Sequence, residues 1–359
     1  MNPILDDSRE IRSRDTQDML GYLGRFDRQL EQALKIGGQV DLPACPGGVR
    51  SVTVSGMGGS AASGDFLQAY LGRELKVPLW VNRNYGAPGF TGPRTLSLLC
   101  SYSGDTEETV SAFQAAHAAG APIVCISSGG ALARLARDHG HPWARIPGGQ
   151  PPRSALGYLS FPCLAVLSRL ALIPGRDREL AQCLDWVRDR IRAYGPHQPA
   201  SANPAKQAAQ ALHGRIPFVY GSQDRLELVA RRWCGQFAEN GKQLACWKAL
   251  PEMNHNEVVG WRHPPDLLER ILPVFLRDSE DHPRIGLRSD WTRRFLSGRS
   301  GTTLEYRAEG GSWLDRLLML ILLGDYASVY LGLLNGEDPS PVAAIDELKT
   351  ELSGTPETS

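Results

Sequence analysis

The segment Ser101-Tyr-Ser-Gly-Asp-Thr-Glu-Glu-Thr109 carries hydroxyls at Ser101, Ser103 and Thr106, a glycine at 104, and the start of a helical pattern. The apolar run 96–100 precedes it, so an extended segment is expected to end in this loop and the loop to open a helix. The first turn of a helix leaves N–H groups unpaired and carries partial positive charge. Hydroxyl donors and a backbone that can approach closely complete a set suited to a phosphate. An ordinary hydroxyl N-cap is the other reading that this loop allows. A second loop, Gly56-Met-Gly-Gly-Ser-Ala-Ala-Ser-Gly-Asp65, follows the strand-like Ser51-Val-Thr-Val-Ser55 and leads into an apolar helical run at 66–71. Its glycine spacing matches neither a dinucleotide fingerprint nor a P-loop, so neither NAD nor ATP is expected. Two Gly/Ser loops, each after a strand of one sheet, suit a small phosphorylated ligand.

The elements that must carry these loops alternate. A helix is expected over 14–35, with a break at 43–48. Strands are expected at 50–55, 77–83, 95–100, 122–127 and 143–146, separated by helices at 63–72, 107–119 and 131–139. That alternation implies a parallel sheet flanked by helices. After the loop 147–152 come helices at 155–172 and 177–194 and a Pro-rich joint at 195–204. A second α/β half follows. Helices are expected at 205–213, 227–240, 265–276 and 312–335, extended segments at 216–221, 245–250, 284–288 and 303–307, and a last helix at 342–352. The chain therefore divides into an N-terminal helix (1–40), a first domain bearing the loops (41–172), a helical linker (173–212), a second domain (213–353) and a mobile tail (354–359).

Composition narrows the classes. A chain of 359 residues, 42% apolar and 22% charged, is an ordinary two-domain globular chain. Lys plus Arg and Asp plus Glu both number 39, which gives no polyanion-binding field and argues against nucleic acid as a partner. The opening residues are too polar for a signal peptide. Charged residues interrupt the apolar stretch 313–334, so a buried helix is expected there and no membrane span. Seven scattered cysteines read as reduced thiols of a cytoplasmic protein. The histidines are read as unspaced for ligation, so no metal and no cofactor is expected.

With these two loops, Pro152-Arg-Ser-Ala-Leu-Gly-Tyr158, Phe237-Ala-Glu-Asn-Gly-Lys242 and Pro251-Glu-Met-Asn-His-Asn-Glu-Val258 resemble the bifunctional phosphoglucose/phosphomannose isomerases. Those enzymes are built from two sugar isomerase (SIS) domains, and the resemblance spans roughly 15–352. It implies an α/β fold of two SIS-type domains, each a parallel sheet flanked by helices. Ala62, Ser63 and Gly241 depart from the pattern, at positions that do no chemistry.

The resemblance also implies roles. Gly59, Ser60, Ser101, Ser103 and Thr106 would hold the substrate phosphate. Glu239 would move a proton between C1 and C2, and Arg153 would lie beside the reacting carbons. His255 would open the sugar ring, and Lys349 would assist it, with Lys242 as a rival. The implied reaction interconverts glucose 6-phosphate, and also mannose 6-phosphate, with fructose 6-phosphate through a cis-enediol. A homodimer with shared active sites is implied, His255 reaching its partner's site. By residue type alone, Glu239, Arg153 and Lys349 read by default as solvated or salt-bridged residues, and His255 reads also as a structural one. A sugar-phosphate-binding regulator without catalysis, or another SIS-type enzyme such as the isomerase half of an amidotransferase, stands as the alternative.

Overall fold

The computed structural model describes residues 3–45 and 47–353. The expected tail 354–359 lies outside the described residues. Among the described residues, nine strands form two all-parallel sheets. The first contains β1 (Ser51–Ser55), β2 (Leu79–Asn82), β3 (Thr95–Cys100), β4 (Ile123–Ser127) and β5 (Trp143–Arg145), in the order β2-β1-β3-β4-β5. The second contains β6 (Ile216–Ser222), β7 (Cys246–Leu250), β8 (Ile271–Arg277) and β9 (Leu304–Arg307), in the order β7-β6-β8-β9. The chain leaves β1 toward β2 on one side and returns to β3 on the other. A parallel sheet opens a crevice at such a switch point, beyond the strands' C-terminal ends. Ser55 pairs with Leu99 in register, so the loops after β1 and β3 emerge side by side there.

The two halves share a core built on the helix Trp313–Leu334. Its hydropathy would suit a membrane, yet the whole apolar window is buried inside the protein. A capping box at Ser312 and Asp315 starts it. It packs against the helices Leu226–Glu239 and Pro204–Leu212. The core residues Leu317, Leu320, Tyr326 and Tyr330 are fully buried on it. Asp325 and Arg316 are also buried on this helix, each held by ion pairs.

The helix expected at 63–72 starts earlier, at Gly58, so most of the glycine-rich segment is its first turns. Three further expected elements differ. The single helix at 14–35 is three helices, Ser8–Arg14, Met19–Leu23 and Phe26–Gln39. The Asp15 carboxylate accepts from Met19 N and Leu20 N at 2.7 and 2.9 Å, and Asp18 adopts φ 58°, so the chain breaks and restarts there. The helix expected at 265–276 is a short turn, Pro265–Leu268, followed by β8. Every residue of β8 is buried, and an unbroken apolar run has no period that separates a central strand from a buried helix. Conversely, 284–288 is not extended but opens the helix Pro283–Ser300, where Pro283 occupies the first turn and the His282 side chain accepts from Arg284 N.

Candidate active site

The hydroxyl loop closes on itself and on the glycine loop. Ser101 Oγ accepts from Gly104 N at 3.0 Å and lies 2.9 Å from Thr106 Oγ1, while Ser103 Oγ accepts from Asp105 N at 3.2 Å. Gly104 has φ +86°, and a β-carbon there would sit 1.9 Å from Gly129 O, so only glycine fits. Thr106 is the N-cap of the helix Glu107–Ala118, but its hydroxyl faces Ser101 and makes no capping hydrogen bond. The uncapped first turn retains the partial positive charge that an anion needs. Ser60 Oγ accepts from Tyr102 N at 3.2 Å, which joins the two loops.

Gly59 joins them to the Arg153 segment. It lies in the first turn of the helix Gly58–Leu71, where a β-carbon would meet Pro152 O at 2.7 Å. Arg153 follows at once, only 4% exposed. Its Nε donates to Asn240 Oδ1 at 2.5 Å, and Nη2 donates to Pro339 O and Ser340 O at 2.8 and 2.7 Å. Its Nη1 reaches Glu239 Oε2 at a longer 3.5 Å. Burial pulls the guanidinium's pKa down, while Glu239 and Asp338 pull it up. Glu239 is the last residue of the helix Leu226–Glu239, so its carboxylate projects from the helix end with its side chain 29% exposed. A cavity of about 210 Å³ is lined by Gly59, Arg83, Arg153, Arg231, Arg232 and Glu239. A larger cleft of about 930 Å³ shares Arg83 and Arg231 with it but includes neither Arg153 nor Glu239.

The chain thus brings together Gly59, Ser60, Ser101, Ser103, Thr106, Arg153 and Glu239 as one continuous region. It does not bring His255 or Lys349 to Glu239. His255 ends the short turn Glu252–His255 and is exposed. Lys349 lies on the helix Ala343–Ser353, whose described side chains are all exposed. Lys242 is the near lysine, with φ 50° and Nζ donating to Glu239 O at 2.6 Å and Pro339 O at 3.2 Å. Burial first, then the Arg153 charge, lower its pKa.

Sequence reasoning passed over Asn240, Arg232 and Asp325 around Arg153. The signal for Arg232 and Asn240 was the recurrence of polar residues at 232, 236 and 240, which share one helix face, and that for Asp325 was a carboxylate within an otherwise apolar helix. It also passed over the pair His139-Gly140-His141, which the fold joins to His117, with His117 Nδ1 3.0 Å from His141 Nε2. Among the described residues, no group of three or more His, Cys, Asp or Glu side chains is arranged to hold a metal ion.

This architecture recurs in known proteins. A glucose-6-phosphate isomerase like protein from Thermus thermophilus superposes with a TM-score of 0.59 at 20% identity, covering 95% of this chain and 99% of that one. Residues 201–352 match the model of the bacterial phospho-glucose isomerase C-terminal SIS domain. The class is therefore a two-sheet SIS-domain protein.

Two relatives specify it further. The bifunctional phosphoglucose/phosphomannose isomerase of Caldicellulosiruptor bescii is 38% identical over 90% of this chain and 96% of its own. That of Aquifex aeolicus is 35% identical over 84% and 90%. The chain belongs to the bifunctional phosphoglucose/phosphomannose isomerase family.

Proposed function

We propose that this protein interconverts glucose 6-phosphate and mannose 6-phosphate with fructose 6-phosphate by proton transfer through a cis-enediol. The observation that carries the reading is the pairing of Glu239 with Arg153, 3.5 Å apart beside the glycine loop. A carboxylate over C1 and C2 takes the proton from one carbon and returns it to the other. Arg153 stabilises the negative charge that grows on the enediolate oxygens, and its burial makes that charge effective. Gly59, Ser60, Ser101, Ser103 and Thr106 anchor the phosphate and so fix the carbon presented to Glu239. His255 opens the ring, Lys349 or Lys242 assists, and neither metal nor cofactor takes part.

His255 acts from a second copy of the chain, in a cytoplasmic homodimer. The long helices at 156–169 and 313–334 do not support that assembly, because this chain buries both within itself. The helix Ala343–Ser353 does. Ile345, Leu348 and Leu352 recur at helical spacing and are 42%, 56% and 44% exposed. An isolated helix of this length is marginal in water, so this stripe calls for a covering surface.

The test is turnover of fructose 6-phosphate by metal-free protein, with Glu239→Gln as the paired variant. Activity that requires added metal would overturn the cofactor claim. No turnover of any hexose 6-phosphate would favour a sugar-phosphate-binding regulator.

A further inference from the structure

Arg153 is held at both ends by one face of the helix that also delivers Glu239. Arg232, Gln236 and Asn240 follow each other at four-residue spacing, and residues at that spacing share a helix face. Asn240 is wholly buried. Its amide oxygen accepts from Arg153 Nε at 2.5 Å, and its amide nitrogen donates to Ser328 Oγ at 2.9 Å. Ser328 Oγ in turn donates to Asp325 O at 2.6 Å. Arg232 grips the Asp325 carboxylate with Nε and Nη2 at 2.9 and 2.7 Å, and its Nη2 also donates to the backbone carbonyl of Arg153 at 2.9 Å. Gln236 donates to the same carboxylate at 2.8 Å.

These bonds leave the guanidinium one way to lie. Nε is taken by Asn240 and Nη2 by the carbonyls of Pro339 and Ser340, so Nη1 is the nitrogen turned to Glu239 and the cavity. A planar fork pinned at two nitrogens fixes the third. The choice of an amide at 240 also matters for charge. A carboxylate there could accept the same bond, but it would pair with Arg153 and add a like charge beside Glu239.

We infer that Asn240 is a positioning residue for the isomerisation: from Ser328 and Asp325 it aims the Nη1 group of Arg153 at the developing enediolate while leaving that guanidinium's charge unspent. The inference rests on the reading of Glu239 and Arg153 as the reacting pair. It differs from a merely structural role in what it does to kinetics. None of these hydrogen bonds reaches the hydroxyls of Ser60, Ser101, Ser103 or Thr106, so disturbing them should lower kcat and leave KM for fructose 6-phosphate nearly unchanged.

The experiment compares wild type, Asn240→Asp and Ser328→Ala for kcat, KM and thermal unfolding. Asn240→Asp keeps the acceptor but adds charge, and its kcat is expected to fall by about 30-fold or more with KM within about threefold. Ser328→Ala suits a helix and touches neither Arg153 nor substrate. It frees the Asn240 amide, and its kcat is expected to fall by about threefold to tenfold at unchanged KM. If Asn240→Asp fails to fold, Ser328→Ala decides alone. An active wild type whose folded variants keep kcat within twofold, or lose it only in step with a rise in KM, would overturn the assignment while sparing the isomerase reading. A wild type that turns over no hexose 6-phosphate would remove that reading and this assignment with it.

Discussion

Replacing Gly59 by alanine tests the geometry of the site with a single methyl group. The added β-carbon would lie 2.7 Å from Pro152 O, 2.9 Å from Pro152 C and 3.0 Å from Arg153 N. All three are backbone atoms, so no side chain can swing away. Ordinary contact begins at 3.4 Å, so the helix Gly58–Leu71 and the Pro152–Ser154 turn must part by about 0.7 Å. The turn cannot yield freely, because Gln29 Nε2 donates to Ser154 O at 2.9 Å and Arg232 to Arg153 O. Overpacking of this kind costs about 1–3 kcal/mol of stability. A misplacement approaching 1 Å costs on the order of 100-fold in rate, so kcat/KM should fall by about 10- to 100-fold. The assay is conversion of fructose 6-phosphate to glucose 6-phosphate, read by a coupled oxidation of the product, beside thermal unfolding. Gly298→Ala is the control. It lies in the helix Pro283–Ser300 with nothing within 4 Å, and it should gain about 0.5–1 kcal/mol with unchanged activity. A Gly59→Ala protein with wild-type kcat, KM and melting temperature would refute the claim that this close approach sets Arg153 against Glu239.

Other expectations are more direct. Alanine at both Ser103 and Thr106 removes two donors to a charged acceptor, at about 1.5–3 kcal/mol each, and should appear mainly as a raised KM for phosphorylated sugars; unchanged KM and unchanged inhibition by inorganic phosphate would make the loop structural. Burial raises the pKa of Glu227, so its ionisation costs folding stability that accrues as pH rises from the unfolded value near 4.5 through the folded value. Glu227→Gln should therefore raise the melting temperature at neutral pH, with the gain shrinking on acidification and gone below about pH 4.5; a pH-independent difference would refute that origin. Mixed Glu239→Gln and His255→Ala chains should recover up to about a quarter of wild-type activity if sites are shared between copies, since half of a random mixture is heterodimer with one intact site of two. No recovery despite proven exchange of subunits would place both residues in one chain's site.

What the sequence makes legible here depends on how local the cause is. The loop at 101–106 is readable because glycine and hydroxyl residues act on their own backbone, as Ser101 does on Gly104 N. The first sheet is readable because each strand is short and set off by turn residues, with a helical pattern after most of them. In the second half, β8 and the helix Pro283–Ser300 are not, because the character of Ile271–Arg277 is set by what lies on both of its faces. The site mixes both kinds. Arg153 and Glu239 stand 86 positions apart, and nothing between them in the chain announces their meeting. A family resemblance can name them, but their contact exists only because the Gly58–Leu71 and Leu226–Glu239 helices meet across the two halves. Asn240 illustrates the remainder. As the residue after a helix it is unremarkable, and its amide gains partners only when Arg153 and the Trp313–Leu334 helix dock on it.

The same contrast separates the two sheets. Both sheets have a switch point, β1 against β3 in the first and β6 against β8 in the second. In the first, the loops beyond the strands are glycine and hydroxyl, with an uncapped helix N-terminus. In the second, the corresponding crevice is filled by the chain's own carboxylates. Ser222 Oγ donates to Asp281 Oδ1 at 2.7 Å, and Arg225 and Arg316 hold Asp278 at 3.2 and 2.7 Å. Any anion entering there would have to displace Asp278 from the two arginines that match its charge, and would leave that buried carboxylate unpaired. The second half is therefore free to use the far end of its first helix instead, and it is from that C-terminal end, not from an N-terminal anion site, that Glu239 and Asn240 reach across to the first half.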